Sequence, residues 1–378
     1  MEKPLRMVVL SVSAGAGHLR AAQALCAAAA QMPGIEAVHV DVMDLVSKGF
    51  RNFYSRGYMG LVEKAPEVWS YLYQHTDAAP KSLFNRFRRQ LERLNTQKLK
   101  KEMAHLAPDV IVCTHFLPAE LLSRRLRKGK PTPPVWVHVT DFDVHGFWLH
   151  PHMQGYFVAS EEVAARLEGR GMGREHIHVT GIAIMPQFSQ ALSREAAALE
   201  LGLSPDKRTL LMMSGGFGVG GIESLVEHVA KTMEEVQILA LAGRNEALLG
   251  KLQEIATRHP GRVFPQGFTR SIERMMAAAD VAVTKPGGLT TSECLAMQLP
   301  MLVVSPIPGQ EERNADFLLE TGCASKAVDA ASLLFKLKAL FQTPERLAHM
   351  RRQQKAVAKP HAAKDIVETI VKATLKPL

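Results

Sequence analysis

The sequence predicts an α/β protein made of two doubly wound halves, each a parallel sheet flanked by helices. Three observations carry this. Short apolar runs alternate with helical patterns along the whole chain, the rhythm of βαβ units. The cycle pauses near residue 186 and then restarts. Each half opens in the same order, with a strand, a glycine-rich turn and a helix, although the two do not repeat residue by residue.

The strands of the first half are read from "RMVVLSVS", "IEAVHVDVMD", "DVIVCTHF", "PPVWVHVTD", "GYFVAS" and "HIHVTG". The alanine-rich "HLRAAQALCAAAA" is its first helix. "IAIMPQFSQALSREAAALELGLSPDKR" reads as a linker followed by a short helix. The second half starts at "TLLMMSGGFGVGG" and continues through "VQILALAG", "RVFPQGF", "DVAVTKPGG" and "PMLVVSPIPG". The tail from about Ser332 is helical and basic. Three segments follow from this: 1–185, 186–345, and the closing helices 346–378, which could pack back on the first half. In sheets of this kind ligands sit off the carboxyl ends of the strands, so two facing halves make a cleft.

The 378 residues suffice for two domains, and a hydrophobic content of 47% with 22% charged residues is ordinary for a globular protein. The net charge of +9 is not ordinary and suggests an anionic partner: nucleic acid, acidic lipid or a phosphorylated substrate. The four cysteines, Cys26, Cys113, Cys294 and Cys323, show no CxxC spacing and read as buried thiols of a reducing compartment. The N-terminal apolar run reads as a strand rather than a signal peptide. No apolar stretch reaches the length of a membrane span, so membrane contact is expected to be peripheral.

"SAGAGHLRAA" (13–22) joins the first strand to the first helix. Gly15 and Gly17 permit close backbone approach. A third glycine is missing at Arg20, and there is no Gly-Lys-Ser/Thr, so neither a dinucleotide fingerprint nor a nucleoside-triphosphate loop fits. His18, at the helix start, could accept a proton from a hydroxyl nucleophile, or could be a helix-start residue with no chemistry. "SGGFGVGG" (214–221) has GxGxxG spacing, but the next strand ends in "LALAGRNE" without the acid that binds ribose in a dinucleotide site. A loop whose N–H groups meet a phosphate is the better reading.

In "TKPGGLTTSECLAMQLP" (284–300), Thr290 and Glu293 fit a capping box. The competing role for Glu293 is to bind ribose hydroxyls. In "PIPGQEERNADFL" (306–318), Gln310, Glu311 and Asn314 suit hydrogen bonds to a sugar or cap a helix. "HVTDFDVHGFWLHPH" holds four histidines and two aspartates, yet the spacing fits no standard zinc motif and no metal is expected. Asp141 and His145 are candidates for orienting a nucleophile. The segment 81–106 carries Arg86, Arg88, Arg89 and Arg93 beside an apolar stripe, so it could lie on an anionic membrane. Its alternative is an ordinary surface helix. The aromatic-rich stretch before it would suit an acyl chain if exposed.

Taken together, "LSVSAGAGHLRAA", "WVHVTDF", "SGGFGVGG", "TKPGGLTTSECLAMQLPMLV" and "PIPGQEERNA" resemble glycosyltransferase family 28, and within it the diacylglycerol glycosyltransferases. The resemblance spans nearly the whole chain. It implies a GT-B fold, two Rossmann-like domains facing a cleft, with lipid acceptor and membrane on the N-terminal half and a UDP-sugar on the C-terminal half. His18 would be the base or an orienting group, with Asp141 the other candidate for the base, and Gly15, Gly17 and His115 would lie on the acceptor side. Ser214, Gly215 and Gly216 would lie by the diphosphate, Phe268 and Met275 near the uracil. Gly287, Gly288, Thr290, Glu293, Gln310, Glu311 and Asn314 would complete the UDP-sugar site. No cofactor or metal is implied, since helix dipoles and backbone amides would stabilise departing UDP.

The implied reaction is an inverting transfer of glucose or galactose from a UDP-sugar to diacylglycerol, giving a β-linked glycolipid at the cytoplasmic face of the membrane. The Gln310–Glu311 pair favours these hexoses over N-acetylglucosamine, whose transferase in peptidoglycan synthesis carries a Gln-Gln pair. The rivals are an N-acetylglucosaminyltransferase acting on a polyprenyl-linked or other lipid, and a UDP-sugar epimerase or hydrolase of the same fold. A nucleic-acid-binding role ranks last, because the charge concentrates in one amphipathic helix and the tail.

Overall fold

The computed structural model describes residues 3–13, 15–46, 49, 51, 97–213 and 221–375. The chain divides into two compact units. The first is Met1–Pro186 with Pro308–Gln310 and His361–Leu378, and the second is Gln187–Ile307 with Glu311–Pro360.

In the first unit the described elements are β1 (Leu5–Ser11), α1 (Ala16–Ala29), β2 (Ile35–Asp41), α2 (Gln97–Leu106), β3 (Val110–Cys113), α3 (Phe116–Arg127), β4 (Val135–His138), β5 (Gly155–Val158), α4 (Glu161–Glu168) and β6 (Ile177–Val179). The strands form one parallel sheet in the order β2-β1-β3-β4-β5-β6. Successive residues feed opposite faces. Val8 and Leu10 join one core with Leu117, Leu122, Val163 and Leu167, while Met7 and Val9 join another with Ala22, Leu25 and Ala28. Burial on both faces is why these strands read as continuous apolar runs rather than alternating ones.

The second unit holds α5 (Arg194–Glu200), β7 (Arg208–Met213), α6 (Ile222–Thr232), β8 (Val236–Leu241), α7 (Glu246–Arg258), β9 (Val263–Gln266), α8 (Ile272–Ala278), β10 (Val281–Thr284), α9 (Gly288–Ala296), β11 (Met301–Val304), α10 (Gln310–Glu320), β12 (Ala324–Ala327), α11 (Ala330–Gln342) and α12 (Pro344–Val357). Its sheet is also parallel, in the order β12-β11-β10-β7-β8-β9. At the base of this sheet the buried carboxylate of Asp280 accepts from Arg194 at 3.0 Å, Arg208 at 3.1 Å and the Thr209 amide at 2.8 Å.

The closing segment 346–378 is not one piece. α12 belongs to the second unit, where the Gln354 amide donates to the Leu299 carbonyl at 2.7 Å. α13 (Ala362–Leu375) belongs to the first unit and packs on α1, placing Ala363, Ile366, Val367 and Ile370 in the core beside Leu25.

In each sheet the chain runs outward from an interior strand and returns on that strand's other side. The reversals fall between β1 and β3 and between β7 and β10. The crevice outside the carboxyl ends of such strands is where open α/β sheets bind ligands.

Candidate active site

The first-unit reversal point gathers a histidine cluster. α1 begins at Ala16, two residues before the expected start, so His18 lies in its first turn. Gly15 precedes the helix at φ +132°, a conformation open to glycine but strained for other residues, and no side chain caps the helix. His18 Nδ1 lies 2.8 Å from the Thr114 carbonyl oxygen and 3.0 Å from the Thr140 hydroxyl. Thr114 also donates its hydroxyl to the His18 carbonyl at 3.0 Å, fastening the helix start to the end of β3.

A carbonyl oxygen only accepts, so Nδ1 carries the proton and Nε2 of the neutral ring keeps a lone pair. Burial lowers the His18 pKa to about 4, against a smaller opposite effect of the Thr114 bond. The ring is therefore neutral at ordinary pH, and its basic nitrogen is Nε2.

His115 stands edge-on to His18 with ring centroids 4.5 Å apart. Its Nδ1 accepts from the Leu117 amide at 3.0 Å as the N-cap of α3. Burial first, and then the neighbouring His18, hold its pKa well below the usual range. His145 caps the short turn Gly146–Trp148 by accepting from the Phe147 amide at 3.2 Å, and this turn brings Trp148 to 6.2 Å from the His18 ring. Asp141, half-buried, directly follows the Thr140 that meets His18.

The other members of the His/Asp stretch have separate partners. Asp143 pairs with Arg166 at 2.9 Å, His138 accepts from the Ala183 amide at 3.0 Å, and His150 lies 3.1 Å from Glu120. Among the described residues no group of three or more His, Cys, Asp or Glu side chains converges as a metal site.

In the second unit the reversal point carries the start of α9. Its N-cap is Gly287 with no side-chain bond, and Thr290 lies inside the first turn. The expected Thr290–Glu293 capping box is therefore not formed, because two glycines leave the terminus without an N-cap side chain. Glu293 is 5% exposed in the second turn of that helix. Asn314, wholly buried, donates to the Pro286 carbonyl at 3.0 Å and ties α10 to the Thr284–Gly287 turn. Glu311 accepts from the Ile307 amide at 2.7 Å, and its other oxygen lies 3.8 Å from where a Gly287 side chain would start. Gln310 is half-buried at the start of α10.

Phe268, just beyond β9, is 54% exposed, while Met275 is 4% exposed within α8. Met275 thus packs in the interior of the second unit. Ser214, Gly215 and Gly216, and the basic residues Arg86, Arg88, Arg89 and Arg93, lie outside the described residues. No helix among the described residues is long and apolar enough to cross a membrane.

Sequence reasoning missed Thr114, Thr140 and Trp148. The signal for the two threonines was their place at strand ends, in "VCTH" and "HVTD", although the histidine that both meet is His18.

Residues 18–184 match the family described as monogalactosyldiacylglycerol (MGDG) synthase, and residues 209–370 match the glycosyltransferase family 28 C-terminal domain. A processive diacylglycerol beta-glucosyltransferase of Bacillus licheniformis is 30% identical over 280 residues, 74% of this chain and 72% of the relative. One of Bacillus pumilus is 29% identical over 97% of this chain and 94% of its own. Among solved structures, MurG of Acinetobacter baumannii aligns at TM-score 0.59 and 14% identity, covering 98% of this chain and 100% of its own. MnaA of S. aureus with UDP aligns at 0.62 and 14%, covering 99% of both chains. At such identities these neighbours establish the fold, which is the GT-B class. Both halves and the full-length relatives agree, and the chain belongs to the diacylglycerol glycosyltransferases of glycosyltransferase family 28.

Proposed function

We propose that this protein is an inverting glycosyltransferase that moves a hexose from a UDP-sugar to the free hydroxyl of diacylglycerol at a membrane surface. The relatives' names favour glucose over galactose as the donor sugar. The observation that carries the reading is the tautomer of His18, whose Nδ1–H is committed to the Thr114 carbonyl so that Nε2 can take a proton.

In the step proposed, the acceptor oxygen attacks the anomeric carbon while its proton passes to His18 Nε2. The bond from that carbon to the UDP oxygen breaks, and UDP leaves with the electron pair. The uncapped amides at the start of α9 suit the diphosphate charge, and no metal is needed for the step. Glu293 is assigned to the ribose, and Glu311 with Gln310 to the sugar. Asn314, Gly287 and Gly288 shape the turn that presents them, and Thr290 lies in the first turn beside it. Ser214, Gly215 and Gly216 are assigned to the diphosphate by sequence position. His115, Asp141 and His145 frame the acceptor side, and the basic segment 81–106 is assigned to the cytoplasmic membrane surface.

The test is sugar transfer into lipid extract. Purified protein is mixed with diacylglycerol vesicles containing anionic lipid and with labelled UDP-glucose, UDP-galactose or UDP-N-acetylglucosamine in separate reactions. A glycolipid formed from a hexose donor supports the proposal. Label from UDP-N-acetylglucosamine alone, or altered free sugar nucleotide without a lipid product, would replace it with the rival transferase or epimerase reading.

A further inference from the structure

Arg244, outside the expected donor set, pairs with Phe268, which belongs to it. Arg244 lies three residues beyond β8 and Phe268 two beyond β9, and these strands are adjacent and parallel. Both residues therefore sit at the carboxyl edge of the second sheet. The guanidinium carbon of Arg244 lies 4.7 Å from the Phe268 ring centroid. Although stacked on one face, Phe268 remains 54% exposed.

The Arg244 loop is built to hold its place. The Ala242 amide donates to the Gln266 carbonyl at 2.8 Å, joining the two strand ends. Gly243 then turns at φ +60°, and Asn245 caps α7 by accepting from the Leu248 amide at 2.9 Å. Arg244 is thus fixed between a left-handed glycine and a helix cap, next to the ring it covers.

We infer that Arg244 is a positioning residue for the nucleotide: its guanidinium holds Phe268 as a one-sided shelf, so that a flat pyrimidine stacks on the face left open. The inference rests on the donor reading of the second unit and adds to it a residue outside the expected donor set. Without the guanidinium the exposed ring is free to change rotamer, and fixing it falls to the ligand. The ring's quadrupole in turn holds the guanidinium on that face.

Calorimetric titration tests this with UDP, and with inorganic diphosphate read by its competition with UDP. Arg244→Ala and Phe268→Ala should each weaken UDP about two- to fivefold, the range of an exposed cation–π contact, and leave diphosphate unchanged. The double variant should bind UDP no worse than Phe268→Ala alone, and Arg244→Lys should recover part of the loss. Losses that multiply in the double variant, or an equal loss for diphosphate, would place Arg244 on the phosphates and overturn the inference. Unchanged UDP affinity in Arg244→Ala would also overturn it while leaving the donor reading in place. A wild-type protein that binds no UDP would sink the donor reading and the inference together.

Discussion

His18 Nδ1 lies 2.8 Å from the main-chain oxygen of Thr114, and this contact decides which end of the imidazole can do chemistry. The proton is held on the inner nitrogen, and Nε2 is left to act. His18→Ala should lower kcat about 10²–10⁴-fold, the usual worth of a general base, while UDP binding stays close to wild type. Single-turnover transfer together with UDP titration checks this. Near-normal turnover would end the role of His18 as base and leave Asp141 as the candidate.

Protonation of the same cluster sets the acid limit. Burial holds His18 at about 4, His138 at about 3 and His115 well below the ordinary value near 6.5. Unfolding returns all three toward that ordinary value, so below it the unfolded chain binds more protons than the native one. Stability should be indifferent to these residues at and above neutral pH, and should fall as pH drops from about 6.5 toward 4 for His18 and 3 for His138. Urea midpoints across this range read the effect. The acid limb of kcat/KM in the free enzyme should lie near 4; a limb near 6.5 would contradict the buried neutral imidazole.

Gly15→Ala tests the backbone before the helix. The added methyl group meets only the edge of the His18 ring at 4.0 Å, so the difficulty is not space but φ +132°. Holding alanine there costs about 1–3 kcal/mol. The expected result is a lower melting temperature with a fall in turnover, because the turn that aims His18 must shift to relieve the strain. A variant with wild-type melting and turnover would mean the loop adopts another conformation readily.

Asp280→Ala probes the second unit away from its ligand edge. The variant leaves Arg194, Arg208 and the Thr209 amide without their common acceptor. The two guanidiniums keep part of their surface in water, so the expected loss is roughly 1.5–3 kcal/mol, that of a hydrogen-bonded charge rather than a fully buried ion pair. Chemical denaturation measures it, and a change below 0.5 kcal/mol would show that solvent replaces the carboxylate.

Most of the sheet framework was legible because parallel strands buried on both faces advertise themselves as apolar runs. β12 was not, since Ala324, Ser325, Lys326 and Ala327 form an edge strand with little apolar content or strand propensity. The capping box at Thr290 and Glu293 failed because the sequence spacing does not reveal where the helix starts, and Gly287 begins it three residues early. His18 was visible as a polar residue after a glycine turn. Its tautomer was not, because that depends on a carbonyl 96 positions away in the chain. Asn314 was read as a possible sugar contact, yet its side chain faces the Pro286 carbonyl, a relation set by the packing of α10.

The last helix has a consequence for how the protein is made. Ala363, Ile366, Val367 and Ile370 fill the same core as Leu25 and Ala28 of α1, so the first unit lacks part of its interior until these late residues are available. The sequence of the second unit, by contrast, ends at Pro360. On the ribosome the usual order is inverted: the segment synthesised first waits, with one side of its sheet incompletely covered, while the one synthesised later can already close. The helix α1 that bears His18 therefore gains its full backing only after the whole sequence of the second unit has been made.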